Sequence, residues 1–176
     1  KPLTYGSVGI GSLYHLILEN VQAQTGIKLA HVPYKGNAPL LQDIGGGQVD
    51  FAVLVYSAAM GALAEQGKMK VIGQLGAQRS ELLKNLPTAS EGQALKNFSY
   101  KIWTGFMVPK STPEDVVNRL HAAIGKTLQS PEVRAQLAAQ TQVASAPMTL
   151  AESAKFFDAE TARYRAIAKQ INLQPQ

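Results

Sequence analysis

The chain contains no cysteine. That excludes a disulfide framework, a thiolate nucleophile and a zinc–thiolate centre, and leaves open whether its surroundings are reducing or oxidising. No apolar run reaches the roughly 20 residues that a membrane-spanning helix needs, and no charged stretch followed by an apolar one opens the sequence, so the segment reads as soluble. A basic run is missing too. Residues 1–98 hold eight basic and six acidic side chains and residues 99–176 hold nine and six, which spreads the net charge of +5 over both halves. Nucleic-acid binding rests on clustered neutralising charge and is not expected, although the surplus suits a small anionic ligand. Among the three histidines there is no H-x-x-x-H or H-E-x-x-H spacing, and Asp43 with Asp50 is a weak pair for a cation. Neither a metal nor a cofactor is expected.

What the 176 residues do contain is 45% apolar side chains, ample for a packed core and incompatible with global disorder. Leu3 to Tyr5 reads as a strand running into Gly6-Ser7-Val8-Gly9-Ile10-Gly11, after which Leu13, Leu16, Ile17 and Val21 mark a helix that stops at Gly26. Ile27 to Val32 is a second strand, broken by Pro33. The turn Tyr34-Lys35-Gly36-Asn37-Ala38-Pro39 then starts a short helix that Gly45-Gly46-Gly47 ends. Val49 to Val55 reads as a strand buried on both faces. Ser57 caps the next helix, and Val71 to Leu75 is a fourth strand. Strands alternating with helices predict an α/β fold with mostly parallel pairing.

Periodicity fades from Gln78 to Phe98, which sets the expected boundary between one unit, 1–98, and a second, 99–176. Beyond it, Tyr100 to Val108 reads as a strand containing Trp103. Thr112-Pro113-Glu114-Asp115 matches a capping box and Ser130-Pro131-Glu132 starts another helix. Gln142 to Ala144 reads as a short strand, and Thr149-Leu150-Ala151-Glu152 is a second capping box. The helix it opens carries Leu150, Phe157, Tyr164 and Ile171 seven apart, a docking stripe. The chain begins without methionine and runs at once into a strand, as a fragment of something longer would.

Two loops carry the chemistry. From Gly6 to Ser12, closely spaced glycines allow backbone N–H groups to converge, and the following helix start adds unpaired donors and partial positive charge. The glycines at 6, 9 and 11 do not fit G-x-G-x-x-G, and a phosphate-loop lysine is missing, so an anion site and an ordinary tight turn both remain open. Val32 to Pro39 is a second strand-to-helix loop, and ligands of open α/β sheets bind outside the carboxyl ends of strands. Lys35 can offset ligand charge or stay in solvent. A hydrolase or transferase using Ser7 or Ser12 with His15 is the competing enzymatic reading, although neither serine sits in a G-x-S-x-G elbow. Glu19, four residues after His15, is placed to accept its N–H in a structural pair. Trp103 and Tyr100 line either a cleft or the core.

Leu3-Thr4-Tyr5-Gly6-Ser7-Val8-Gly9-Ile10-Gly11-Ser12, then His15-Leu16, His31-Val32-Pro33-Tyr34-Lys35-Gly36 and Gly46-Gly47-Gln48-Val49-Asp50 resemble, in this order, the second-lobe motifs of Bug-type solute-binding proteins. These are the TctC-like receptors of tripartite tricarboxylate transporters. Gly67-Lys68-Met69-Lys70-Val71, Leu86-Pro87-Thr88-Ala89-Ser90-Glu91-Gly92, Trp103-Thr104-Gly105 and Val108-Pro109-Lys110-Ser111-Thr112-Pro113 continue the resemblance. It implies a periplasmic-binding-protein-like architecture of two α/β lobes. One lobe is whole here, near 1–98, and a C-terminal segment returns to an incomplete other. It implies a non-enzymatic periplasmic receptor that captures a small organic acid and hands it to membrane transporter subunits. The implied ligand-binding residues are Ser7, Gly9, Gly11, Ser12, Tyr34, Gly36, Asn37 and Ala38. Many members place an aspartate in the run after Asp50, where this chain reads Phe51-Ala52-Val53-Leu54-Val55-Tyr56; without it a plain carboxylate or dicarboxylate is favoured over an amino acid. An incomplete lobe also predicts a homodimer of the fragment. An effector-sensing lobe of a regulator shares the architecture, but no helix-turn-helix candidate occurs here.

Overall fold

A computed structural model describes residues 2–173. Strands β1 (Leu3–Ser7), β2 (Leu29–Pro33) and β3 (Phe51–Ala52) form a parallel sheet in the order β2-β1-β3. Helix α1 (Leu13–Thr25) connects β1 to β2, and α2 (Asn37–Gly45) connects β2 to β3. This is the α/β alternation expected from the sequence. Further along lie α3 (Ala58–Glu65), α4 (Glu114–Gln129), α5 (Pro131–Ala139) and α6 (Leu150–Gln170). Two compact units result, Lys1–Ile102 with Tyr164–Gln176, and Trp103–Arg163.

In the first unit β1 is central, with Tyr5 opposite His31 of β2 and Phe51 of β3. Tyr5 is fully buried. Next to it Gly6 has no side chain because there is no room for one: a Cβ would sit 2.1 Å from Leu40 Cδ1 and 3.3 Å from Tyr34 Cε2. Bare backbone at Gly6 thus lets α2 press Leu40, itself fully buried, onto the sheet. Helix α1 starts on Ser12, whose hydroxyl accepts the His15 amide, and ends on Gly26 at φ 73°. Its Ile17 packs with Phe98 and Tyr100, backed by Tyr164 and Ile167, and its Asn20 donates to the Tyr100 hydroxyl at 2.7 Å. Asp50 ties the start of β1 to the start of β3, accepting from the Thr4 amide at 2.6 Å and the Thr4 hydroxyl at 2.7 Å.

In the second unit the Trp103 indole donates to Glu160 at 3.1 Å, and its ring packs edge-on against Phe156 and Phe157. Tyr100 and Trp103 are thus both packing residues.

Four expected strands shrink or vanish. The run from Val49 to Val55 pairs only at Phe51–Ala52, opposite Tyr5 and Gly6 of β1, which ends one residue later at Ser7 where the glycine loop begins. Val71 to Leu75 reduces to one bridge between Gln74 and Thr88. There the Gln74 carboxamide organises the loop, donating to the carbonyls of Leu83 and Leu86 and accepting from the Ser80 amide. Tyr100 to Val108 and Gln142 to Ala144 pair with no strand among the described residues, and Val143 is 90% exposed. The capping box expected at Thr112 does not form either: α4 starts one residue later, on Pro113, and the Thr112 amide closes a turn to Pro109 instead. The box at Thr149 is present, with Glu152 accepting from the Thr149 amide at 2.8 Å and Thr149 Oγ1 accepting from the Glu152 amide.

Candidate functional site

The two strand-to-helix loops lie side by side, because the Tyr34 amide continues the ladder by donating to the Ser7 carbonyl at 2.8 Å. Each opens a helix. In the first loop Gly9 (φ 133°) and Gly11 (φ 78°) adopt backbone conformations that disfavour any side chain. The loop is held by bonds to itself and to the sheet. The Gly9 amide donates to Ser7 Oγ at 3.3 Å, the Ser12 amide to the Gly9 carbonyl at 3.2 Å, and the Gly11 amide to His15 Nδ1 at 3.1 Å. Amides at Gly9, Gly11 and Ser12 therefore shape the bend, and the first turn of α1 presents the amides of Leu13 and Tyr14, which have no partner within a helix.

The second loop is built differently. Gly36 (φ 112°) occupies the cap of α2 and supplies no side-chain acceptor. Pro39, the third helical residue, has no N–H to be capped. The amides of Asn37 and Ala38 are left as the open donors of that turn. Tyr34 lies over Gly6 and its hydroxyl donates to Asp43 at 2.8 Å; burial, then the bond and the negative charge of Asp43, push the phenol up to about 12. With Asp43 held by Tyr34 and Asp50 by Thr4, the two carboxylates serve separate structural bonds. Two helix N-termini with parallel strands behind them favour an anion on the side where the loops meet.

Beneath the first loop sits a cluster that neither loop motif announces. Ser7 Oγ, fully buried, lies 2.7 Å from His31 Nε2 and 3.0 Å from the Gly9 carbonyl. The His31 ring stacks on Tyr5 at 4.7 Å and on His15 at 4.2 Å between centroids. Tyr5 donates its hydroxyl to Glu19 at 2.5 Å, and burial followed by that carboxylate raises its pKa. Glu19 lies 3.8 Å from His15 Nε2, beyond hydrogen-bond reach.

The serine–histidine pairing considered for an enzyme therefore involves a different residue. Ser12 Oγ accepts the backbone amide of His15, not its ring, and Ser7 meets His31. Ser7 is closed off from solvent, so it cannot serve as a nucleophile as it stands. Histidine spacing in the sequence does not single out His31. The signal that would have found it is register: β1 and β2 are equal in length, Tyr5 faces His31 across the ladder, and Tyr5 and Ser7, two apart, share one face.

Residues 1–173 match the family described as "TctC: Tripartite tricarboxylate transporter family receptor". A protein from the tcbD-tcbE intergenic region of Pseudomonas sp. strain P51 is 33% identical over 175 residues, covering 97% of this chain and 50% of its own length. Among solved structures, R. palustris Rpa4515 with adipate superimposes with a TM-score of 0.83 at 28% identity, over 100% of this chain and 58% of that one. MatC (Rpa3494) from Rhodopseudomonas palustris with bound malate gives 0.78 at 25% identity, over 94% and 56%. The chain spans about half the length of the curated relatives it matches.

Proposed function

Because the chain belongs to the TctC family of tripartite tricarboxylate transporter receptors, we propose that it supplies one wall of a periplasmic receptor for a small carboxylate or dicarboxylate, which membrane transporter subunits then take up. The observation that carries this reading is the Tyr34–Ser7 bond, which sets two helix starts side by side. On this reading Ser7, Gly9, Gly11 and Ser12 form the first bend and Tyr34, Gly36, Asn37 and Ala38 the second. The open amides at Leu13, Tyr14, Asn37 and Ala38 donate to the ligand carboxylate. The acids bound in the two structural neighbours, adipate and malate, are of the proposed class.

An amino acid would bring an ammonium group that needs an acceptor. The run Phe51 to Tyr56 has no carboxylate, and Asp43 and Asp50 are engaged by Tyr34 and Thr4. Plain dicarboxylates are therefore the favoured ligands, and the protein returns them chemically unchanged.

Calorimetry and thermal melting with malate, adipate and aspartate test this. A ligand that binds only the folded state adds RT ln(1 + [L]/Kd), about 2.7 kcal/mol at a hundredfold excess over Kd, so malate or adipate is expected to raise the melting temperature. Tighter binding of aspartate than of either acid would overturn the ligand assignment. Turnover of a simple ester by the chain would overturn the receptor reading itself.

A further inference from the structure

The histidine stack beneath the glycine loop, with His15 buried and His31 half-buried, is titratable and outside the set of groups proposed to touch the ligand. We propose that His15 is the positioning residue of that loop: its neutral Nδ1 lone pair holds the Gly11 amide, and protonation of the ring releases the bend and with it the ligand. This rests on the reading of the two loops as the ligand site.

The geometry sets the protonation states. A backbone amide only donates, so the bond from Gly11 N to His15 Nδ1 at 3.1 Å requires a lone pair on Nδ1 and places the ring proton on Nε2, on the side of Glu19. A second proton would put two donors head to head. His31 differs. Its Nε2 faces the Ser7 hydroxyl, which accepts from a protonated ring while turning its own hydrogen to the Gly9 carbonyl at 3.0 Å. One histidine of the stack can thus take a proton without disturbing the loop, and the other cannot.

The groups facing His15 are few. From β1 comes Tyr5, whose ring is stacked at 6.5 Å and whose hydroxyl is bonded to Glu19; from β2 comes His31, stacked at 4.2 Å; from α1 itself comes Glu19, at 3.8 Å. Glu19 is the one anion among them and favours the charged ring. Burial opposes it and prevails, holding His15 below the ordinary histidine range, and burial followed by the neighbouring His15 does the same to His31. The loop is therefore expected to outlast the pH at which an exposed histidine charges, near 6.5, and to open below it.

Two measurements on the 176-residue chain decide the matter. Nitrogen-15 spectra without ligand, from pH 8 to pH 4.5, should show His15 protonated on Nε2 at high pH, and a Gly11 amide whose shift and solvent exchange change with the His15 midpoint. A Gly11 amide indifferent to that titration overturns the proposal whatever the protein binds. Calorimetry with adipate should then show affinity falling by up to tenfold per pH unit below the His15 midpoint. His15→Asn, which can offer a non-titrating oxygen near the Nδ1 position, should bind at pH 7.5 and lose most of that fall. His15→Phe, which keeps a ring for the stack but has no acceptor, should bind at least tenfold more weakly than the unmodified chain at pH 7.5, with the gap closing below the His15 midpoint. A pH dependence unchanged in His15→Asn would overturn the assignment. If adipate fails to bind the unmodified chain at any pH, the ligand reading falls for that acid, and the Gly11 titration still decides whether His15 holds the loop.

Discussion

The Tyr34 amide donates to the Ser7 carbonyl at 2.8 Å, one step beyond the last paired residues of β1 and β2, so the ladder ends inside the two loops rather than before them. The bends that follow are consequently fixed relative to each other by the backbone, and side-chain changes nearby act on a preset geometry.

Gly6→Ala tests the close approach behind that geometry. The added methyl would meet Leu40 Cδ1 at 2.1 Å, and since Leu40 is fully buried it has little room to move aside. A loss of about 1–3 kcal/mol in urea unfolding is expected, the usual cost of an overfilled core. Gly6→Ala combined with Leu40→Val should recover part of it; no recovery would mean that the strain lies elsewhere.

Gly36 tests the second helix start. At φ 112° both Gly36→Ala and Gly36→Asp strain the backbone alike, so their difference isolates the carboxylate. Asp at a helix cap can accept from the amides there and would compete with a bound acid, so Gly36→Asp should bind malate or adipate at least tenfold more weakly than Gly36→Ala. Equal affinities in calorimetry would remove Asn37 and Ala38 from the proposed site.

Arg79 and Glu91 pair through two hydrogen bonds, one of them Nε to Oε1 at 2.8 Å. Together with the Thr88 amide, this holds the Glu91 carboxyl at about 2, below its ordinary 4.5. Because the folded value is the lower one, the contribution is present above pH 4.5 and fades as pH falls through about 2. Acid unfolding of Glu91→Gln should accordingly be flatter than that of the unmodified chain in this window. Parallel curves would show that the pair is not coupled to folding.

Ile102, Phe106, Met107 and Val108 are all more than two-fifths exposed, on a stretch without strand pairing among the described residues. Apolar backbone edges of this kind recruit partners, and light scattering is expected to report a dimer. Phe106→Lys with Met107→Lys should shift it toward monomer, whereas a monodisperse monomer of the unmodified chain would dispose of the idea.

The first hundred residues were legible where local chemistry decides. Ser12 and Gly26 bound α1, Pro39 lies in the first turn of α2, and strands alternate with helices as the apolar spacing implies. Beyond Gly67 the helices capped at Ser130 and Thr149 were legible too, but the strands were not, because apolar runs record a preference for burial and not the presence of a neighbouring strand: Val143 and Ile72 read as strand and stand exposed. Within the candidate site, the glycine positions could be read directly. The commitment of the Gly9 amide to Ser7 and of the Gly11 amide to His15 could not, since these bonds, although two and four residues apart, depend on how the Ser7 hydroxyl and the His15 ring are held against His31 of β2.

The missing side chain at Gly6 has a mechanical consequence. With Leu40 seated against bare main chain, α2 has no cushion on which to slide, and a tilt of the helix would be felt at once by the neighbouring bend. A displacement of either bend is therefore expected to carry the other with it.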